Sequence, residues 1–437
     1  MLSHRFSITE RSRFLKASSL AVVLALGLGT GASASNSHTS SKPVTFGFAM
    51  PFTGPLANEG HQLEPGLLVG CAQVNAAGGV LGHKCAEERV NTLGDAADGA
   101  LALRKAFATG PQINAVLGMS SGEGPAEVPI VVGQKVVAYP VAGDQSLFNN
   151  RKFAKYLYMD EPPDSLTGVS MALAVARLKV HHPAVVFSNN PDAAPVRVGV
   201  LNGLKNLKIK PAINLTVAQG AASYGTEVGR IVASHPDGIV MEISDPASAA
   251  TFFANLVAQA GSLKIPFIDD ATASGQQWND AVAHAIGNPA IDAHEWIVST
   301  QNGNTVTPNY SYMLKEWPKF HGPQPFNASF NTPIFDSVIV SCLAMLEANS
   351  TVPAKWAPYV AKIDAGQKGA RKVYNYAQGK SAIAAGKTIK YIGATDGMGW
   401  NKDHSRIVPA FLYRRSGNNM SVSGAGITVR QINAAAK

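Results

Sequence analysis

Apolar positions along the chain follow two rhythms in alternation. Short apolar runs bounded by turn residues read as buried strands over 44–49, 85–90, 115–118, 135–139, 184–187, 212–216, 238–242 and 266–269. Between them, apolar residues recur every three or four positions. These stretches read as helices over 59–75, 96–109, 166–178, 194–207, 225–234 and 247–260. Glycines mark helix ends, Gly78-Gly79 for the first and Gly261 for the last of these. Strands alternating with helices build βαβ units around a parallel sheet. The rhythm breaks at Glu161-Pro162-Pro163-Asp164 and then resumes. Two successive runs of similar size imply two α/β lobes. A further apolar helix is expected over 333–347, followed by a polar stretch, 355–390, without a firm assignment.

The beginning of the chain obeys a different pattern. A basic stretch ends at Lys16, an apolar run covers Leu20 to Leu28, and Ala32-Ser33-Ala34 fits a small-residue cleavage site. The run is shorter than the about 20 apolar residues a bilayer span needs. Residues 1–34 therefore read as an export signal, and 35–42, rich in Ser, Asn and His, as a linker. Ser12 separates Arg11 from Arg13, which favours the general secretory route over a twin-arginine one. No Cys near the cleavage site offers a lipid anchor. The mature chain is expected to be soluble and periplasmic or extracellular.

Composition refines this only slightly. Hydrophobic residues make up 46% and charged residues 15% of the chain, too apolar for disorder. The net charge is +8, and Arg5, Arg11, Arg13 and Lys16 against Glu10 put three of those charges ahead of residue 35. There is no long Lys/Arg run, no basic stripe interleaved with aromatics and no zinc-ligand spacing, so no nucleic-acid partner is expected. Export permits disulfides. Cys71 and Cys85 flank the Gly78-Gly79 turn and are placed to bridge as the helix packs on the next strand; the alternative is two small buried thiols. Cys342 falls in an apolar helix and is expected in the core.

In a parallel sheet, ligands gather at the C-terminal ends of strands, where unpaired N–H groups at helix starts favour anions. Four sets of loop residues occupy that position: Phe52 after the first strand, Ser120 and Ser121 after the third, Ala142 and Gly143 after the fourth, and Asn189, Asn190, Asp269 and Asp270 in the second lobe. Hydroxyls and glycines suit a carboxylate; acidic residues suit an ammonium. These residue types are also ordinary turn formers. Gly118-Met119-Ser120-Ser121-Gly122 matches the G-x-S-x-G elbow of serine hydrolases, for which Asp396 or Asp403 with His404 would complete a triad. Gly124 and Pro125 weaken the helix such an elbow requires, so a binding role without catalysis is preferred. His181-His182 lacks further ligands at metal spacing. Neither a phosphate-loop lysine signature nor G-x-G-x-x-G is present, so no metal or cofactor is expected.

The segment 44–95 resembles the start of type I periplasmic binding proteins, in the branch containing the leucine/isoleucine/valine-binding proteins of ABC transporters. The resemblance is carried by the strand leading into Pro51-Phe52-Thr53-Gly54, by Gly60 and Gly66, and above all by Asn75-Ala76-Ala77-Gly78-Gly79-Val80-Leu81-Gly82. It continues through Val116-Leu117-Gly118, Tyr139-Pro140, Asn202-Gly203-Leu204-Lys205 and Gly399-Trp400. It implies an α/β fold of two Rossmann-like lobes with parallel central sheets, joined by three crossovers near Asp160, Ala293 and Thr395. Lobe 1 would then comprise 43–160 and 294–395, and lobe 2 would comprise 161–293 and 396–437. By position it implies that Ser120, Ser121, Ala142 and Gly143 hold a ligand carboxylate and that Asp269 and Asp270 hold an ammonium. It further implies a monomer that delivers a small amino-acid-like, carboxylate or amide solute to a membrane ABC permease, or alternatively a sensor docking on a receptor. Asn189-Asn190 stand where the leucine binders usually have an aromatic, and Asn91 where an Asp is frequent, so the ligand class stays open.

Overall fold

The computed structural model describes residues 42–437 except 55, 149, 151, 301–305, 322–327 and 418. The expected signal, 1–34, and nearly all of the linker lie outside the described residues. The described chain falls within one compact unit, Ser41–Lys437.

The first lobe opens with β1 (Val44–Met50), α1 (Ala57–Ala76), β2 (Cys85–Asn91), α2 (Ala96–Thr109), β3 (Ile113–Gly118), α3 (Gly124–Gly133) and β4 (Val137–Pro140). Its four strands run parallel in the order β2-β1-β3-β4. A short α4 (Gln145–Phe148) precedes the passage to the second lobe. There the chain forms α5 (Asp164–Arg177), β5 (Pro183–Ser188), α6 (Ala193–Asn206), β6 (Ile213–Val217), α7 (Gly225–Ala233), β7 (Gly238–Glu242), α8 (Pro246–Ala260), β8 (Phe267–Asp270), α9 (Gln276–Ile286), α10 (Asn288–His294) and β9 (Glu295–Ser299). The return to the first lobe supplies α11 (Pro308–Glu316), α12 (Pro318–His321), α13 (Ala328–Glu347), α14 (Pro353–Trp356), α15 (Val360–Ala365), β10 (Arg371–Val373), α16 (Tyr376–Ala384) and β11 (Ile389–Tyr391). Finally β12 (Phe411–Ser416), β13 (Asn419–Val422) and α17 (Val429–Ala435) rejoin the second lobe. The second sheet has the order β13-β12-β9-β8-β7-β5-β6, parallel except for the antiparallel edge made by β12 and β13.

The chain thus crosses between sheets three times, within 140–164, 299–308 and 391–411. The crossover expected near Ala293 lies elsewhere. Strand β9 pairs in parallel with β8, Phe267 opposite Glu295, so the chain leaves the second sheet only after Ser299. The polar stretch 355–390 contains regular elements. It forms α15, α16 and the small parallel pair β10–β11 against the first lobe.

Both sheets are covered on both faces, so central strands such as β1, β3, β5 and β7 are buried along their length and mostly apolar, while edge strand β2 carries Glu87, Glu88 and Arg89. In β1, Phe46, Phe48 and Met50 enter one core while Ala49 enters the opposite one. In β7, Ile239 and Met241 point one way and Val240 the other. Helix α13 is long and apolar enough to cross a membrane, but its residues are buried in the first lobe's core. It packs on α1 at two glycines. A Cβ on Gly66 would sit 2.8 Å from the Asn331 carbonyl, and one on Gly70 would sit 3.0 Å from Val338 Cβ. Cys71 on α1 and Cys85 on β2 form a disulfide, and Cys342 is a buried thiol of α13.

The crossings are tied down by buried polar groups. Asp336 of α13 accepts from Tyr391 Oη at 2.8 Å, Ala394 N at 2.8 Å, Thr395 N at 2.9 Å and Thr395 Oγ1 at 2.7 Å. Ser337 donates to Asp160 Oδ1 at 2.7 Å, and Arg406 donates to the Asp160 carbonyl at 2.6 Å. Trp400 Nε1 donates to the Met159 carbonyl at 2.7 Å, linking the third crossing to the first.

Candidate functional site

Parallel strands aim their C-terminal ends in one direction, so the loops after β1, β3, β4, β7, β8 and β9 converge. Between them lies a cavity of about 160 Å³. The first sheet contributes Met50 at the end of β1, Ser120 and Ser121 after β3, and Val141 after β4. Asn58, Glu59, Gln62 and Leu63 come from the start of α1. The second sheet contributes Glu242 at the end of β7, Asp270 and Thr272 at the end of β8, and Val298 to Thr300 at the end of β9. Glu161 and Pro162 come from the first crossing, and Asp164 and Asp192 from the starts of α5 and α6. Trp278 and Phe330 supply aromatic surface.

Of the residues expected from sequence, Ser120, Ser121 and Asp270 line this cavity. The others do not, each for a local reason. Phe52 is nearly buried, with its ring 6.1 Å from Phe48 and 5.5 Å from His61 and the Arg89 guanidinium 5.0 Å above it. Ala142 is buried beneath Gly124. The Gly143 N–H already donates to Ser121 Oγ at 2.9 Å. Asn189 donates its N–H to the Val217 carbonyl at 2.8 Å, and Asn190 Oδ1 accepts from Ala193 N at 2.7 Å near the start of α6. Asp269 is fully buried behind Asp270, whose N–H it accepts at 2.8 Å.

Several of the loop donors that would receive a ligand carboxylate are engaged by the protein itself. Ser120 donates to Glu123 Oε2 at 3.2 Å, and Gly122 N–H donates to Asp192 Oδ1. Thr272 donates both N–H and Oγ1 to Asp270 Oδ1, at 2.9 and 2.6 Å. Trp278 Nε1 donates to the Ile243 carbonyl at 2.8 Å.

The wall is strongly acidic. Glu59, Glu161, Asp164, Asp192, Glu242 and Asp270 line it, and no Lys, Arg or His does among the described residues. Removal from water disfavours the charged form, and like charges add to this. Burial, with Asp192 and Glu123 nearby, pushes Glu59 up to about 8. Burial also raises Asp164 to about 8, against the lowering effect of Ser121. Glu242 is raised well above the usual carboxylate range by burial and by Asp270, Asp269, Asp164 and Asp192. Glu161 is raised likewise by burial, although Arg406 opposes the shift. The Arg406 Nη1 stands 4.0 Å from Glu161 Oε1 and is directed to the Asp160 carbonyl.

Five of these six acids are absent from the sequence-based candidates. Acidic residues at turns and helix starts are commonplace. One signal was nonetheless available: Glu242 ends an otherwise apolar strand, Gly238-Ile239-Val240-Met241, where a carboxylate needs a reason.

The elbow motif takes another form in space. Positive φ falls on Gly118 (94°) and Met119 (61°), not on Ser120. A side chain at Gly118 would collide with the Ala49 carbonyl, which explains the glycine. His404 stacks on Tyr158 with ring centroids 4.0 Å apart and contacts the Leu157 carbonyl through Nδ1 at 3.1 Å. Asp403 accepts from Ser405. None of these contacts joins Ser120 to His404.

A sequence profile described as periplasmic binding protein matches residues 43–329. No curated protein matches the chain by sequence. Solved structures match it closely in fold. The leucine-binding protein LivK of Thermotoga maritima is 15% identical with a TM-score of 0.70, over 88% of this chain and 99% of that one. LivJ of Streptococcus pneumoniae, a branched-chain amino acid transporter substrate-binding protein solved with isoleucine, is 16% identical with a TM-score of 0.69, over 89% and 99%. An ABC-transporter solute-binding protein of R. palustris, solved with benzoate, is 14% identical with a TM-score of 0.68, over 88% and 98%.

Proposed function

This chain belongs to the periplasmic binding protein family, and on that premise we propose that it is the extracytoplasmic solute-binding component of an ABC importer. One observation carries the reading: a single cavity takes wall residues from strand ends of both sheets and from the crossings that join them. A solute there touches both lobes at once. It binds the closed arrangement more tightly than an open one, and so shifts the population toward closure. A membrane permease then discriminates the closed, loaded form from the open one. Asp270 and Glu242 on the second-lobe side suit a solute that presents nitrogen donors. The Cys71–Cys85 disulfide fits an oxidising compartment outside the cytoplasm.

The test is ligand-dependent stabilisation. Protein refolded to strip bound solute is heated with a panel of amino acids, amides, amines and small organic acids. A ligand that binds only the native form raises Tm in a saturable way. No saturable shift across the panel, together with ester turnover that depends on Ser120, would reverse the reading.

A further inference from the structure

The chain as a whole is basic, with a net charge of +8, yet the cavity wall carries six carboxylates and, among the described residues, no cationic side chain. The acidity is therefore local. Three of these acids hold buried oxygens without a hydrogen-bond partner: Glu161 Oε1, which has Arg406 Nη1 as an ion-pair partner at 4.0 Å, Asp164 Oδ2 and Glu242 Oε2. Glu161 and Glu242 are more than nine-tenths buried. Asn58 Oδ1, also on the wall, is a fourth such acceptor. Buried acceptors left unpaired are costly, and native structures contain few of them.

The donors tell the same story from the other side. An anion would look for N–H and O–H groups at helix starts. The Gly122 and Gly143 N–H groups and the Ser120 and Thr272 hydroxyls already serve acceptors of the protein itself. A ligand carboxylate would face a wall of carboxyl groups and find these four donors engaged.

We infer that the cavity takes a small organic cation with two or more charged nitrogens of the amine or amidine type, and not a carboxylate-bearing solute. The inference rests on the solute-binding reading and specifies its ligand class. One ammonium brings a single charge and three donors, while a guanidinium brings five. Acceptors spread over α1, the first crossing, α5 and β7 call for more than one such group. Because burial raises Glu59 and Asp164 to about 8, the empty wall holds protons near neutrality. A cation displaces them, so binding releases protons and tightens as pH rises.

The experiment is isothermal titration of the refolded, stripped protein at pH 6 and pH 8.5. Probes are 1,4-diaminobutane, 1,5-diaminopentane and 4-guanidinobutylamine, set against butylamine, leucine, benzoate and acetamide. The expected result is saturable binding of a dication at least tenfold tighter than butylamine, and tighter at pH 8.5. Glu242→Gln and Asp164→Asn should each weaken dication binding at least tenfold while the circular dichroism of the unliganded protein stays unchanged. Saturable binding of leucine, benzoate or acetamide with no dication bound overturns the ligand class and leaves the solute-binding reading intact. Dication binding indifferent to both substitutions also overturns it. Silence across the panel counts against both.

Discussion

The backbone N–H of Gly122 donates to Asp192 Oδ1, joining the loop after β3 in one lobe to the head of α6 in the other. This is a hydrogen bond between the two walls of the cavity. Such bonds contribute about 0.5–1.5 kcal/mol. It therefore favours the closed arrangement and holds a wall carboxylate in place.

Removing this contact should open the molecule. Asp192→Ala is expected to raise the Kd of whichever solute the unaltered protein binds by up to roughly tenfold, about 1.4 kcal/mol. Small-angle scattering of the unliganded variant should give a larger radius of gyration. An unchanged radius would mean that Asp192 does not latch the lobes.

Local packing makes opposite predictions for two helical glycines, Gly66 inside α1 against α13 and Gly133 at the end of α3. Ala in place of Gly gains up to about 1 kcal/mol in a helix interior. At Gly66 the new methyl meets a backbone oxygen, which cannot step aside. Overpacking of this kind costs about 1–3 kcal/mol, so Gly66→Ala should be net destabilising. At Gly133 nothing lies within 4 Å of a new Cβ, and Gly133→Ala should be neutral or mildly stabilising. Urea unfolding of the two variants decides the matter; equal effects would refute the packing account.

Glu127 of α3 gives the chain a pH-sensitive weakness away from the cavity. It is fully buried, both its carboxyl oxygens lack hydrogen-bond partners, and Gly99 and Glu123 crowd it. Burial, with Glu123 adding like charge, raises it to about 9. The folded state thus binds a proton that the unfolded state releases near pH 4–5. Stability is full below that range and is lost as pH rises toward 9. Glu127→Gln should match the unaltered protein at pH 5 and exceed it by about 1 kcal/mol or more at pH 8, since one pKa unit is worth about 1.4 kcal/mol. Thermal scans of unliganded protein at the two pH values test this, and a variant equally weak at both would contradict it.

The Cys71–Cys85 bridge closes a short loop, with a sequence separation of 14. Loops of this size stabilise by about 3 kcal/mol in the chain-entropy account. The double variant Cys71→Ala, Cys85→Ala should unfold at a lower Tm. Adding reductant should lower the Tm of the unaltered protein but not that of the variant. A reductant effect of equal size in both would assign it to something other than this bridge.

Much of the architecture is legible in local pattern. The strand 238–242, the helix 96–109 and the left-handed Gly261 that ends α8 fall where periodicity and glycine chemistry put them. These features depend on neighbours a few residues apart, so a linear reading captures them. The resemblance centred on Asn75–Gly82 extended this to two lobes and three crossings.

Other features depend on long-range pairing. Nothing local to Glu295–Ser299 says that it continues the second sheet; only its hydrogen bonding to β8 does. The same limit applies to the cavity. Glu59, Glu161, Asp164 and Asp192 come from separate turns and helix starts and look like ordinary acids there; only Glu242, at the end of an apolar strand, stands out. Folding gathers them on one wall, where desolvation and mutual repulsion change what they can bind. Short-range rhythm specifies strands, helices and their order, because those arise from steric and burial preferences of adjacent residues. The chemistry of the cavity arises from charges brought together across three crossings, and their field exists only once the two sheets face each other.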